Sequence, residues 1–362
     1  MNPGGIMSNG VKNYKYYRLA AVVVIAVLFI SSCATGSAPA SGSSGGKTPA
    51  WVSDKDSAYP SDKYLAELGE GDSLKGAKSN AAGAIAQIFR TRVKVDSNIR
   101  TRYSEITGKG GETLGMVTKT DFDQSIGQSS DESLSNLKYG ESWTDEMGRV
   151  YTIAYLDRAE TGNLYRSRIV DNDERVSELL DRARSQNEPL RRFAFMDAAH
   201  VYAEVNQTLL EQLEIINMPM ARSVIHPYDL GELRAAKADQ ASALKVRVEV
   251  SGDPEGRINA VLSDWVTDKG FSVSPGGDLF LTAVVAITPV KLNNNYENLS
   301  WELNLSLIDS TGVPVVSLPR QNRSSGVSAS AAESRAYNDM AEMIQKDFDR
   351  EFSAYLTSFL EK

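Results

Sequence analysis

The sequence predicts an α+β fold: two small domains, each resembling an α/β sandwich with a helix on an antiparallel sheet, joined by a helical hairpin. Three observations support this prediction. Apolar and polar residues alternate at 93–103 and 246–250, as in half-buried strands. Apolar residues recur instead at helical spacing across 169–216. Hydrophobic residues make up 41% of the chain and charged residues 24%, which is ordinary for a globular protein.

The net charge and the cysteine count limit the plausible functions. The chain has 362 residues, a formal net charge of −8 and one cysteine, Cys33. An acidic protein without a basic cluster is a poor partner for nucleic acid and for anionic lipid headgroups. A single cysteine allows no intramolecular disulfide and no thiolate metal site. We therefore expect stability to come from packing and expect no nucleic acid among the partners.

Residues 1–32 have the pattern of a secretory signal peptide. Lys12, Lys15 and Arg18 precede an unbroken apolar run at 19–30, and two serines follow it. The run is shorter than the roughly 20 apolar residues that a membrane-spanning helix needs. We therefore expect this segment to be removed rather than folded.

The motif Ile-Ser-Ser-Cys that ends at Cys33 resembles a bacterial lipobox, in which the cysteine is acylated and becomes the first residue of a lipoprotein. Two alternatives remain. An uncleaved anchor is disfavoured by the length of the apolar run, and an ordinary secreted cysteine by the lack of a second cysteine to pair with. We predict lipidation at Cys33, with translation starting at Met1 or Met7.

Residues 33–49 are predicted to be the lipidated cysteine and a flexible tether. Apart from Lys47, residues 34–49 are all Gly, Ser, Ala, Thr or Pro, and such a tether spans about 20–24 Å. An acidic residue directly after the cysteine would retain a diderm lipoprotein in the inner membrane, but Ala34 stands there. We therefore expect the outer membrane to be the partner of acylated Cys33.

Residues 50–163 are predicted to form the first α+β domain. Ser73 can cap a helix whose apolar residues recur at helical spacing as far as Phe89. Gly69 and Gly71 before it suit a turn. Alternation at 93–103 predicts a strand. After a glycine-rich turn and a stretch without a clear pattern, segments 137–143 and 150–156 flank a turn ending in glycine, which is typical of a β hairpin.

Several short motifs follow one another in this domain. They are Pro49-x-Trp51, Tyr64-Leu65-x-x-x-Gly69-x-Gly71, a helix with Ala77, Ala81, Ala82 and Ala84, and Trp143…Gly148-x-Val150-Tyr151 followed by Ala154-Tyr155-Leu156-x-Arg158. Taken in this order behind a lipobox, they resemble the LPP-twenty type of bacterial outer-membrane lipoprotein. The resemblance covers about a third of the chain. It implies a periplasm-facing domain that scaffolds envelope structures, including flagellar parts in some members, and no catalytic residues.

Residues 164–218 are predicted to form a helical hairpin. Two apolar stripes are separated by Asn187 and Pro189, which suit the end of one helix and the start of the next. The hairpin could bind a partner as a coiled coil or pack against its own flanking domains. Because the stripes are short, packing against the flanking domains is favoured.

Residues 219–362 are predicted to form the second α+β domain, with the pattern βαβββα. A short helix at 230–244 precedes it. Strands are expected at 246–250, 271–273, 279–290, 299–308 and 313–318, and helices after Asp253 and at the end of the chain. The segment loosely resembles periplasmic assembly lipoproteins that regulate cell-wall synthases or line secretion pores.

No catalytic, cofactor or metal constellation stands out in the sequence. His200 has Glu204 at i+4 where a zinc site would need a second histidine, and His226 lies in a linker. Ser330 suits the N-cap of the closing helix better than a nucleophile. Trp301 is expected in the core, although with Tyr296 it could also form an aromatic loop that grips a glycan.

These observations lead to one functional expectation and one alternative. We expect a non-enzymatic, lipid-anchored periplasmic lipoprotein that acts as a scaffold or assembly factor for cell-envelope structures, with other envelope proteins or peptidoglycan as partners. The alternative is a lipid-anchored enzyme or ligand-binding receptor that uses a cleft between the two domains. A deep cleft lined by polar side chains would favour the alternative.

Overall fold

The computed structural model describes residues 47–94, 96–108 and 136–360, together with the backbone of Ser43–Ser44. The signal segment, Cys33 and most of the predicted tether lie outside the described residues, as does the patternless stretch that follows Gly108. Residues 41–362 form one compact unit. The described residues contain two sheets and many helices, so the predicted α+β class is confirmed.

The first sheet has four strands in the order β1-β3-β4-β2. They are β1 (Ser43–Ser44), β2 (Tyr64–Gly71), β3 (Lys138–Thr144) and β4 (Val150–Asp157). Strands β2, β3 and β4 are antiparallel, and Gly148 in the predicted β3–β4 turn has a positive φ of 85°. Strand β1 runs parallel to β3, with Ser43 opposite Trp143. Two residues of the predicted tether therefore pair with the sheet.

Two helices belong to the first sheet. They are the short α1 (Ala50–Ser53) and α2 (Leu74–Arg92). The hydroxyl of Ser73 accepts the backbone N–H of Gly76 at 3.2 Å, which is the predicted N-cap. The turn predicted at Gly69 and Gly71 is wrong because both glycines lie in β2. A β-carbon on Gly69 would lie 2.1 Å from the carbonyl oxygen of Ala77, so the missing side chain lets α2 touch the sheet.

The strand predicted at 93–103 is also wrong, because residues Ser97–Thr107 form helix α3. The carboxylate of Asp96 accepts the backbone N–H of Asn98 at 2.7 Å and caps the helix. Ile99, Tyr103 and Ile106 recur at helical spacing and pack against the two main apolar cores. The alternation that suggested a strand and the helical spacing share Ile99 and Tyr103, and the cap at Asp96 decides between them.

The helical hairpin consists of α4 (Arg158–Ser185) and α5 (Pro189–Ala221). Both carboxylate oxygens of Glu188 accept backbone N–H groups of the first turn of α5. Non-helical backbone angles at Asn217 kink α5 just before Pro219, which cannot continue the hydrogen-bond ladder. The hairpin lies where the sequence predicts it.

The second sheet has five strands in the order β6-β5-β7-β8-β9. They are β5 (Lys245–Ser251), β6 (Ser272–Val273), β7 (Leu279–Val290), β8 (Glu297–Ile308) and β9 (Pro314–Gly326). The sheet is mixed rather than purely antiparallel: β5 runs parallel to β6 and β7, because a crossover helix follows β5. Strand β9 extends beyond the predicted end at 318.

Helices cover the inner face of the second sheet. They are α6 (Leu230–Ala243), α7 (Arg257–Asp268), α8 (Ala329–Met343), a π-helical turn (Ile344–Phe348) and α9 (Asp349–Ser358). The N-cap of α8 is Ser328 and not the predicted Ser330, since the hydroxyl of Ser328 accepts the backbone N–H of Ala331. The donor is the third residue after the N-cap, which is the usual spacing, and Ser330 already lies inside the first turn.

Helix α5 contributes to both cores. Near its start, Leu190, Phe193 and Ala198 belong to the cluster that includes the second sheet. Further along, Leu209 and Leu213 belong to the cluster of α2 and the first sheet. The hairpin therefore packs against its own flanking domains, which joins both sheets to one long helix.

Candidate functional site

A cavity of about 660 Å³ lies where both predicted domains meet the hairpin. Helices α3, α5, α6, α7 and α9 contribute to it. Its apolar lining consists of Ile99, Phe193, Val201, Phe352 and Leu356. Clefts of several hundred Å³ have the usual size of small-molecule sites, although most of the residues that line this one are polar or charged. The charged side chains around this lining therefore define the candidate site.

Arg102 on α3 is the central cation of the cavity. Its Nε donates to Oδ2 of Asp197 at 3.0 Å, and its Nη1 donates to the carbonyl of Ser353 at 3.0 Å and to the hydroxyl of Thr357 at 2.9 Å. Nη1 also donates to Glu105 at 3.2 Å. Arg102 thus links α3 to α5 and α9. Its Nη2 is buried and has no partner among the described residues.

Asp197 on α5 is the central anion of the cavity. It accepts from Arg102 and, through Oδ1, from Lys237 at 2.9 Å. Burial alone would raise the pKa of this carboxyl, but Lys237 and Arg102 outweigh burial and lower the pKa to about 2. Asp197 is therefore ionised at neutral pH, and both cations are held in place by it.

The chain of charges continues from Lys237 along α5. Lys237 Nζ lies 3.4 Å from Nδ1 of His200, whose Nε2 lies 3.0 Å from Glu204. Burial, with a further contribution from Lys237, lowers the pKa of His200 below its ordinary value. The neutral tautomer with its proton on Nε2 fits both contacts, since Nδ1 then accepts from the ammonium. Arg234 closes the chain with two hydrogen bonds to Glu204, at 2.6 and 2.8 Å.

A second set of charges borders the cavity at α7 and α9. Asp349 at the start of α9 accepts from Nε1 of Trp265 at 3.0 Å and forms an ion pair with Lys269. Asp268, the last residue of α7, also lines the cavity, and its exposed carboxylate forms no hydrogen bond or ion pair within the described residues.

A separate polar cluster lies further along α5, around the fully buried Asn206. Its Nδ2 donates to the carbonyl of Ile169 at 3.0 Å and to Asp173 at 2.8 Å, and its Oδ1 accepts from Asn172 at 2.9 Å. Asp173 also bonds His226 at 2.8 Å. This cluster ties α4, α5 and the following loop together and leaves Asn206 with both ends of its amide bonded.

Arg158, the last residue of the family-like motifs, joins the first sheet to the end of α5. Its Nη1 donates to the carbonyls of Ile215 and Ile216 at 2.9 and 2.6 Å, and its Nε donates to the carbonyl of Ser61 at 2.9 Å. Burial lowers the pKa of this guanidinium below its ordinary value. The carbonyls are those exposed by the kink at Asn217, so Arg158 replaces the helical bonds that the kink removes.

The residues singled out in the sequence have separate positions. Cys33 lies outside the described residues, and its lipidation stays a prediction. His200 contributes to the charge chain of the cavity, while His226 stacks on Tyr228 with 5.3 Å between ring centroids. Within the described ranges, no group of histidines and carboxylates is arranged to hold a metal ion.

The two aromatic residues of the proposed glycan-gripping loop are not alike. Trp301 is buried in the second core and donates its Nε1–H to the hydroxyl of Ser324 at 3.0 Å, whereas Tyr296 is 56% exposed. Sequence reasoning missed Arg102, Asp197 and Lys237 altogether. Arg102 and Asp197 are 95 positions apart, so no local spacing could have connected them.

The first folded segment has the features that the motif order predicts. Strand β2 carries Gly69 against α2, the β3–β4 turn carries Gly148, and Arg158 follows β4 directly. Residues 49–157 match the LPP20 lipoprotein family. The predicted LPP-twenty resemblance is therefore confirmed, and the match indicates a lipoprotein of the bacterial cell envelope. No curated protein matches the chain.

Three solved structures resemble the chain at low identity. A secreted protein from Helicobacter pylori is 14% identical, with 82% of this chain and 98% of that one covered and a TM-score of 0.38. A minor lipoprotein from Acinetobacter baumannii is 17% identical, with 31% and 93% covered and a TM-score of 0.23. The rare lipoprotein B from Shewanella oneidensis is 10% identical, with 32% and 97% covered and a TM-score of 0.24.

In the part of the chain that the structure describes, none of the helices combines enough length with enough apolar character to cross a membrane.

Proposed function

We propose that this protein is a non-enzymatic scaffold or assembly factor of the cell envelope, serving flagellar or cell-wall structures. Acylated Cys33 would hold it in the outer membrane, facing the periplasm, with other envelope proteins or peptidoglycan as partners. The match of residues 49–157 to a lipoprotein family supports the anchored part of this proposal. Three acyl chains exceed the two signals that stable membrane anchoring needs.

The observation that carries the scaffold proposal is the sharing of helix α5 between both cores. At one end, Arg158 bonds the first sheet to the last carbonyls of α5, and near the other end Asp197 is bonded through Arg102 to α3 and α9. The straight part of α5, from Pro189 to the kink at Asn217, extends about 42 Å at about 1.5 Å per residue. An arrangement of this kind suits a protein that holds two surfaces at a fixed separation.

Anchoring is tested by feeding cells radiolabelled palmitate and separating the membranes by density. We expect label in the wild-type protein, none in Cys33→Ala, and recovery of the wild type with the outer membrane. Ser37→Ala, a change within the tether, is the matched control and should remain labelled. Equal labelling of the wild type and Cys33→Ala would overturn the anchored proposal.

The scaffold role is tested by in-cell crosslinking and by co-sedimentation of the lipidated protein with isolated peptidoglycan sacculi. We expect a defined crosslinked envelope protein or co-sedimentation, and in the crosslinking experiment we expect loss of the product for Cys33→Ala. Failure of both assays for the anchored wild type would contradict the scaffold role without affecting the anchoring result.

A second candidate function, ligand-binding receptor, is supported by the junction cavity. The cavity has the size of a small-molecule site, combines an apolar lining with charged groups, and lies where both predicted domains meet. An anchored receptor would present such a cavity to the periplasm.

A further inference from the structure

Aromatic side chains cover the face of the first sheet that lies opposite α2. Gly69 of β2 touches α2, whereas Ala66 and Leu68, which alternate with it along the strand, belong to a separate small core on the other face. Trp51 and Trp143 are buried in that core. Around it lie four tyrosines that are only partly buried, and we call them the aromatic face: Tyr59, Tyr64, Tyr151 and Tyr155.

The rings of the aromatic face are held in place by one another and by the small core. The ring centroid of Tyr59 lies 4.9 Å from that of Tyr155, and the centroid of Tyr64 lies 5.7 Å from Tyr59 and 5.5 Å from Tyr155. Tyr151 packs on Trp143 at 5.5 Å. Each tyrosine joins an apolar ring to a polar hydroxyl and keeps part of its surface accessible to solvent.

The charged side chains beside the aromatic face are largely neutralised by one another. The pairs are Lys55 with Glu67 at 2.8 Å and Arg149 with Glu70 at 3.2 Å. Asp54 and Asp56, which are exposed, add negative charge. A surface of this kind does not attract an anionic partner, so a partner of the aromatic face should carry no net negative charge.

The chain that leads from Cys33 enters the fold at this face. Ser43 of β1 lies opposite Trp143 at the edge of the sheet, and α1, which follows, places Trp51 in the small core. Cys33 precedes Ser43 by ten positions. Ten residues span at most about 33–36 Å, so an acylated Cys33 keeps the β3 edge of the first sheet within that distance of the bilayer.

Resting on the anchoring proposed above, we propose that the aromatic face docks on the zwitterionic lipid surface of the membrane that holds Cys33. Tyrosine and tryptophan concentrate at the level of the lipid headgroups, where an apolar ring and a polar group are both accommodated. The anchor makes the contact intramolecular in effect, so a weak affinity of the face for lipid is sufficient. The contact fixes which side of the first sheet is turned towards the bilayer.

The test measures how close two positions of the lipidated full-length chain lie to lipid headgroups. Cys33 is the only cysteine and is acylated in this preparation, so an introduced cysteine is the only thiol that a fluorophore can label. Ala58→Cys places the label next to Tyr59, and Ser310→Cys, in the turn between β8 and β9, is the matched control. Both positions are exposed.

The labelled proteins are reconstituted in vesicles of phosphatidylcholine and phosphatidylethanolamine that carry a nitroxide quencher on the headgroup. We expect the label at position 58 to lose at least about half of its fluorescence, because the aromatic face lies at headgroup level, and the label at position 310 to lose little. Tyr64→Ser should bring the quenching at position 58 close to that at position 310, whereas Tyr64→Phe, which keeps the ring, should preserve it. Circular dichroism checks both folds, and the comparison of positions 58 and 310 tests the proposal even if Tyr64→Ser does not fold.

Two results would overturn the proposal, and flotation of the vesicles distinguishes them. If the protein floated with the vesicles but both labels were quenched equally, the docking would be wrong while the anchoring at Cys33 survived, and the aromatic face would be free to bind a protein or a glycan. If the protein did not float, the anchoring and the docking would fail together.

Discussion

Two polar clusters on helix α5 use the same kinds of residue in different ways. Around Asn206, the side-chain amide is bonded at both ends and is fully enclosed. Around Asp197, the two cations are bonded to the central carboxylate, but the buried Nη2 of Arg102 has no partner among the described residues, and all three residues line the cavity. Both clusters join elements that are distant in sequence, yet only one of them is complete.

The difference in hydrogen bonding suggests a structural role for the Asn206 cluster and a binding role for the Asp197 cluster. A buried polar network whose members are all bonded stabilises one arrangement of the chain. A network that leaves a buried charged donor unpaired is less stabilising, and one that also lines a cavity presents charged groups to a ligand. We therefore expect the Asn206 cluster to matter for stability alone, and the Asp197 cluster to matter for both stability and binding.

The largest effect is expected for Asn206→Ala. This change leaves Asn172, Asp173 and the carbonyl of Ile169 without their buried partner, and we expect a loss of about 3 kcal/mol or more in the free energy of unfolding. Urea denaturation followed by circular dichroism measures it.

The control for that change is the adjacent Gln207→Ala. Gln207 is exposed, and among the described residues its side chain bonds Glu211 alone, at 3.2 Å, so its loss should change the free energy of unfolding by less than about 0.5 kcal/mol. If Asn206→Ala were as mild as this control, the Asn206 cluster would not be the structural one, and the comparison between the clusters would fail.

An intermediate effect is expected from the acid titration of Asp197. Its pKa in the folded state is about 2, against an ordinary value of 3.8. The lowered pKa means that the ionised carboxylate favours the folded state. This stabilisation is complete above the unfolded pKa and is lost as the pH falls from about 4 to below 2, and it amounts to about 2 kcal/mol.

The measurement compares the wild type with Asp197→Asn, which lacks this titration. We expect the difference in free energy of unfolding between them to shrink by about 2 kcal/mol between pH 6 and pH 2. The exposed Asp239→Asn on α6 serves as the control and should track the wild type throughout. A difference that stayed constant across this range would mean that the ion pairs to Arg102 and Lys237 do not hold Asp197 in its charged form.

Much of the fold could be predicted because its signals are local. The hairpin break at Asn187 and Pro189, the cap at Ser73 and the turn at Gly148 each lie within a few residues of what they determine. Local signals also explain the errors. At 93–103 two periodicities overlap, and at the start of α8 two serines compete for one cap.

The site could not be predicted in the same way. Arg102 meets Asp197 across 95 positions and Ser353 across 251, and nothing in the neighbourhood of any of the three residues indicates the others. Asn206 and Asp173 look like ordinary polar positions on a helical stripe until the packing of α4 on α5 buries them. Burial makes the hydrogen bonds of such residues important for stability, and burial is a property of the whole fold.

The smallest effect is expected for Arg234→Ala, at the outer end of the charge chain that begins at Asp197. Arg234 makes two good hydrogen bonds to Glu204, but its side chain is 55% exposed, so water and salt weaken the pair. We expect the loss of Arg234 to cost about 0.5 kcal/mol in the free energy of unfolding at low ionic strength, falling towards zero near 1 M salt, because exposed pairs are screened within a few ångströms there.

The cost of Asn206→Ala should not change with salt. Unfolding each variant at low and high salt therefore separates the buried cluster around Asn206 from the exposed end of the charge chain. A cost above about 2 kcal/mol for Arg234→Ala that persisted in salt would show instead that the charged groups from Asp197 to Arg234 act as one unit.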